Sequence, residues 1–138
     1  MQLFATVMTD FEMTSCEWWK KKEDSTDRLL VIFDALEEWF REEDFYGCLF
    51  VTALGKYSEK DKTIRRFCQE AKRLTQNYIT RLAEKAELQD ADELSEYFML
   101  LIEGAITMTQ VNNSHLSAIR AKKAAKVLIK GSTPIQAQ

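Results

Sequence analysis

His115 is the only histidine in the chain, and Glu103 is the one acid inside the apolar stretch Phe98–Val111. With Cys16, Cys48 and Cys68 they are the residues whose types invite a chemical reading. His115 stands beside Ser114 near a helix start, with no second histidine and no nearby cysteine. That spacing makes neither a metal site nor a catalytic dyad. The three cysteines are odd in number and lack metal-ligand spacing. They read as free thiols of a reducing cytoplasm, with a thiol-sensing role left open. No nucleophile elbow and no phosphate loop occurs. The expectation is a protein that is no enzyme, with no catalytic residue, metal or cofactor. Glu103 remains: a buried carboxylate must be paired, hydrogen-bonded or protonated. It could anchor a cationic effector, bond across a dimer, or meet a lysine or water at a rim.

The elements that must hold these residues are helices. The 138 residues fit one domain, and with only four glycines and one proline the chain favours helix over strand. The net charge of −3 and pI near 5.3 leave no general nucleic-acid footprint. The start Met1-Gln2-Leu3-Phe4 lacks a basic secretory n-region, and no apolar run approaches the roughly 20 residues of a membrane span. The expectation is a cytoplasmic, all-α protein of about six helices with no membrane partner.

Residues 2–22 read as a first helix with Phe4, Val7, Phe11 and Trp18 on one face, closed by Lys20, Lys21 and Lys22. Asp24-Ser25-Thr26-Asp27 offers caps for a helix Leu29–Asp44. Its stripe is Leu29, Phe33, Leu36 and Phe40, and its solvated face carries Asp34, Glu37, Glu38, Glu42 and Glu43. Residues 46–57 read as a short apolar helix ended by Gly55 or by Lys56-Tyr57-Ser58. After a turn at Ser58–Asp61, Lys62–Glu87 reads as a long helix burying Ile64, Phe67, Ala71, Leu74, Tyr78 and Leu82. Its other face is basic early on (Arg65, Arg66, Lys72, Arg73).

Asp90 has the spacing of a capping box with Glu93. Behind it Leu94, Phe98, Leu101, Ile102, Ala105 and Thr109 trace one stripe, widened by Met99, Glu103, Ile106 and Met108. A helix apolar on more than one side must bury more than one side. Asn112-Asn113-Ser114 breaks it, and a last helix runs from about Ser114 to Lys130, stopped by Gly131 and Pro134. Small residues on these two helices (Gly104, Ala105, Ala118, Ala121, Ala124, Ala125) permit close approach, and Leu116, Ile119, Val127 and Leu128 supply grip. Two such hairpins can close as a four-helix bundle across a two-fold axis. The expected interface residues are Leu101, Gly104, Ala105, Met108, Leu116, Ile119, Ala124, Val127 and Leu128. Arg120, Lys122, Lys123, Lys126 and Lys130 on the last helix read as one wet face rather than a DNA contact, because no aromatics interleave them.

Phe45-Tyr46-Gly47-Cys48-Leu49-Phe50-Val51-Thr52-Ala53 sets a glycine and a cysteine among aromatic and aliphatic residues, directly after an acidic helix. With Leu29-Leu30-Val31-Ile32-Phe33-Asp34-Ala35-Leu36 and Leu100-Leu101-Ile102-Glu103-Gly104-Ala105, in that order, it resembles the C-terminal regulatory domain of TetR-type transcription repressors. Gly47-Cys48-Leu49-Phe50 matches the Gly-Cys-Pro/Leu-Phe element of one subgroup. The last segment departs from that subgroup by carrying Glu in place of Asp. The resemblance covers about residues 3–130 and implies an effector-sensing, homodimerising domain. Residues 1–22 would be the connector helix, 23–131 the core and 132–138 a flexible tail. Operator DNA would be read only by a helix-turn-helix domain upstream, outside this sequence. The resemblance also implies a pocket for a small hydrophobic or aromatic effector, with Phe11, Trp18, Phe33, Phe40, Phe50, Tyr78, Met99 and Glu103 as its candidate lining. Aromatic and methionine residues at helical spacing are equally the makings of a plain core. Two further readings stand beside it: a dimerisation module that antagonises a full repressor, and a small helical ligand carrier.

Overall fold

The computed structural model describes residues 25–43, 45, 47, 55–56 and 62–133. Among them four helices stand out: α1 (Ser25–Phe40), α2 (Lys62–Lys85), α3 (Ala91–Asn112) and α4 (Leu116–Ser132). The expected helix over 2–22 lies outside the described residues, as does most of the one expected over 46–57. None of the four is long and apolar enough to cross a membrane.

The helices form a ring in which α1 touches α4 and α2, and α3 touches α4 and α2. Short connections make α2–α3 and α3–α4 adjacent hairpins. Charge alternates around the ring. α1 carries four acids against one arginine and α3 four acids against none, whereas α2 carries seven Lys/Arg against two acids and α4 five against none. Each basic helix therefore has acidic neighbours on both sides. Lys122 on α4 donates to Asp34 on α1, and Lys72 on α2 pairs with Glu103 on α3.

The core takes the expected stripes of α1 and α3. Leu29, Ile32, Phe33 and Leu36 meet Phe98, Ile102 and Ile106, all at most 2 % exposed. Phe33 and Phe98 touch edge to face at 5.6 Å. Asp34 and Glu38 are exposed as expected, with Glu37 half-buried. α4 enters this core with its alanines: Ala118, Ala121 and Ala125 are buried in the chain's own interior. Their smallness brings α4 close to its intrachain neighbours. α2 differs from its sequence pattern. Phe67 and Leu74 are 67 % and 57 % exposed, and the core takes Cys68, Tyr78, Ile79, Leu82 and Ala83 instead. Apart from Cys68, only the second half of the helix enters the core, so the first half keeps apolar side chains outside it.

The helix ends also refine the sequence reading. α1 stops at Phe40, four residues early, in a turn where the Arg41 amide still bonds Glu37 and Glu38 carbonyls. α2 closes in a Schellman arrangement: Leu88 N–H bonds Ala83 O, Glu87 N–H bonds Glu84 O, and Glu87 has φ +57°. Asp90 precedes α3 but stands in the left-handed region at φ +52° and makes no side-chain cap. A capping side chain needs an extended backbone at that position, so the expected capping box does not form. Asn113 at φ +50° ends α3 through its N–H to Thr109 O, 2.7 Å. Gly131 does not stop α4, which continues through Ser132.

Candidate functional site

Two regions carry the residues singled out in the sequence. The first is the interior. Phe33, Phe40 and Tyr78 belong to one buried cluster, with Met99 packed against it and partly exposed. At the end of α1, Trp39, Phe40 and Phe45 form an aromatic corner. The Trp39–Phe45 centroids lie 4.8 Å apart at 85°, and the Phe40–Phe45 centroids 5.0 Å apart. Trp39 lies off the α1 stripe read from the sequence, and Phe45 is read there only as the first residue of the Gly-Cys element. The alternation of the α1 stripe points to Phe40 alone, and only the turn at 41–43 folds Phe45 back onto it. Phe11, Trp18 and Phe50 lie outside the described residues.

Gly47, two residues beyond Phe45, is buried. Its φ is +92°, a conformation costly for any residue with a Cβ, and a Cβ there would collide with the side chain of Gln110 on α3. The glycine of the Gly-Cys element therefore has a local reason: its backbone has positive φ and its Cα lies against the side chain of Gln110, in the last turn of α3. One residue before Gln110, Thr109 is 2 % exposed and its Oγ1 has no hydrogen-bond partner. A buried hydroxyl left in this state costs about 1–3 kcal/mol.

Glu103 is paired within the chain. Lys72 holds it from α2, with both side chains about one-third exposed. Of the roles open to it in the sequence, the structure gives it the lysine at a rim. Nearby, Ser95 is fully buried, donates to Asp92 O at 2.6 Å and accepts from Gln76, a second polar tie between α2 and α3. Cys68 is buried; Cys16 and Cys48 lie outside the described residues. Among the described residues no group of His, Cys, Asp or Glu is arranged to hold a metal ion.

The second region is the outward face of the α3–α4 hairpin. Tyr97, Leu100, Gly104, Met108 and Val111 recur at helical spacing on the side of α3 opposite the buried Phe98 and Ile102. Leu100 is 70 % exposed and Val111 73 %. On α4, Leu116 and Val127 continue the face, at 44 % and 71 % exposure. Of the expected interface residues, Gly104, Met108, Leu116 and Val127 lie in this face, while Leu101, Ile119, Ala124 and Leu128 are half-buried. Ala105, 5 % exposed, belongs to the chain's own core. Tyr97, Leu100 and Val111 were missed in the sequence, although their spacing of three, eleven and fourteen residues was there to be read. The Tyr97 hydroxyl donates to Glu93, which raises the phenol's pKa above its ordinary value.

Sequence comparison relates the chain to known proteins. Residues 26–124, which take in all of α2 and α3, nearly all of α1 and about half of α4, match the family described as "Transcriptional regulator LmrA/YxaF-like, C-terminal domain". The chain is 23 % identical over 103 residues to the HTH-type transcriptional regulator YjdC of Escherichia coli (strain K12), and equally to YjdC of Shigella flexneri. The match takes in 75 % of this chain and 54 % of each relative, so the chain spans about half the length of the curated relatives it matches. No solved structure matches it significantly.

Proposed function

We propose, from the premise that this chain belongs to the LmrA/YxaF-like C-terminal-domain family of TetR-type transcriptional regulators, that it senses a small molecule and dimerises. In the whole protein it would govern operator binding by a helix-turn-helix domain. The observation that carries the dimer reading is the outward face of α3 and α4. Leu100, Val111 and Val127 are each at least 70 % exposed on one hairpin, and large apolar side chains left this exposed at helical spacing are what a partner surface covers.

The sensing reading rests on the interior. Phe33, Phe40, Tyr78 and Met99 offer π surface and a deformable thioether. Thr109 offers one hydroxyl that a ligand could satisfy. Glu103 is spent on Lys72, which favours an uncharged aromatic or hydrophobic effector over a cationic one. Binding between the helices would shift the population between two settings of the bundle, and operator affinity would follow by linkage.

Two measurements test this. Sedimentation of the 138-residue chain at micromolar concentration gives a dimer, and Leu100→Glu gives a monomer. A parent chain that sediments as a monomer ends the dimer reading. Thermal denaturation against hydrophobic drugs, aromatic acids, quinones and fatty acyl compounds finds at least one that raises the melting temperature. At a hundredfold excess over Kd the gain is about 2.7 kcal/mol. If no compound in any class shifts either melting or tryptophan emission, the sensing reading falls.

A further inference from the structure

Thr109 departs from three other threonines of the chain. Thr75, Thr80 and Thr133 each donate the hydroxyl to the carbonyl four residues back, at 3.2, 3.0 and 2.9 Å. A helical threonine reaches that acceptor in one of its two common rotamers. For Thr109 the equivalent acceptor is Ala105 O, and the hydroxyl does not take it. Thr109 is 2 % exposed, on the row of α3 that carries Phe98, Ile102 and Ala105 into the core. Its hydroxyl is therefore turned from its own helix, shut off from water and left without a hydrogen bond. Ser95 and Thr109 are the buried polar side chains among the described residues. Ser95 shows the usual outcome, donating to Asp92 O and accepting from Gln76.

We infer that Thr109 is the polar contact that sets effector specificity, and that the effector is an uncharged, mostly apolar molecule with a hydrogen-bonding oxygen or nitrogen. The inference rests on the sensing reading above and names one residue and one ligand requirement. A buried hydroxyl without a partner destabilises the fold, whereas valine has nearly the same shape and no group to satisfy. A threonine kept at such a position trades stability for a contact made only with a ligand bound. The surroundings decide the charge. No charged side chain is buried among the described residues, so an ion would enter without a counter-charge. A hydroxyl both donates and accepts, so a carbonyl, a hydroxyl or a ring nitrogen satisfies it. A hydrocarbon of the same shape leaves it unpaired, and binding discriminates against that analogue.

Thr109→Val in the full chain tests it, with Thr109→Ser as the variant that keeps the hydroxyl. Without ligand, Thr109→Val melts about 3 °C or more above the parent, because the unsatisfied group is gone. The probes are matched pairs: fluorenone and fluorene, naphthol and methylnaphthalene, quinoline and naphthalene. The dose at which each raises the melting temperature reports its affinity. The parent binds at least one polar member ~tenfold or more tightly than its hydrocarbon partner. Thr109→Val abolishes that preference and Thr109→Ser retains it. If Thr109→Val melts no higher than the parent, the hydroxyl has a structural partner and the inference is overturned while sensing stands. If the parent binds both members of every pair alike, or Thr109→Val keeps the preference, the inference again falls alone. If nothing in the pairs or in the wider screen binds the parent, the sensing reading falls and this inference with it.

Discussion

Lys122 Nζ donates to Asp34 Oδ1 at 2.8 Å, joining residues 88 apart in sequence and fastening the last helix to the first described one. It does so at the surface, with the two side chains 30 % and 48 % exposed. Such pairs fix which helix lies beside which more than they stabilise the fold. Lys122→Ala therefore costs less than about 1 kcal/mol, and the loss shrinks with added salt. Urea denaturation at low and high ionic strength measures both. A cost of several kcal/mol would show that this pair is more than a surface contact.

The core behaves differently. Phe98 is fully buried and meets Phe33 edge to face. Phe98→Ala leaves a cavity between α1 and α3 and costs about 3–5 kcal/mol. Thermal melting should fall by on the order of 10 °C. A variant that melts within a degree or two of the parent would mean that these helices do not pack as described.

Gly47→Ala tests the corner against α3. At φ +92° the backbone alone costs about 1–3 kcal/mol once a Cβ is present. Gln110→Ala removes the side chain that the new methyl would strike. Because the backbone term dominates, the double variant Gly47→Ala/Gln110→Ala stays destabilised. Full rescue would assign the cost to the collision instead.

Glu87 occupies the left-handed position that ends α2, where glycine is the usual residue. Glu87→Gly relieves that strain and loses some of the gain to the greater entropy of the unfolded chain. The net is a stabilisation of about 0.5–1 kcal/mol, read as a higher urea midpoint at unchanged slope. A lower midpoint would show that the Glu87 side chain contributes more than its backbone costs.

Tyr97 supplies a pH-dependent signal. Its hydroxyl donates to Glu93, so the folded protein holds the phenol proton more tightly than the unfolded chain does. The sign follows: any stability from this contact is present below the ordinary tyrosine range and is lost as pH rises through the raised value. In Glu93→Gln the acceptor charge is gone and Tyr97 titrates earlier, which ultraviolet difference titration against a Tyr97→Phe control detects. Identical titration in parent and variant would mean that the bond is not populated in solution.

The sequence by itself determined that the chain is helical, roughly where α1, α2, α3 and α4 lie, and that Asn113 divides the last two. Those features follow from local physics: period, breakers and left-handed preference act within a few residues. It also determined that α3 is apolar on more than one side. Only the tertiary structure decided which side faces inward. Ala105, Ala118 and Ala121 look like interface residues by size, yet they serve the chain's own core. Tyr97, Leu100 and Val111, apolar like their buried neighbours, stand outside it. Phe67 and Leu74 fall on a regular stripe of α2 that the core does not cover. Asp90 has the spacing of a cap and the wrong backbone for one, and Glu103 found its partner 31 residues away in Lys72. Periodicity records that a face is apolar and spacing records that a contact is possible. Which neighbour covers the face, and which partner takes the charge, depends on segments distant in sequence, and no local pattern encodes their approach.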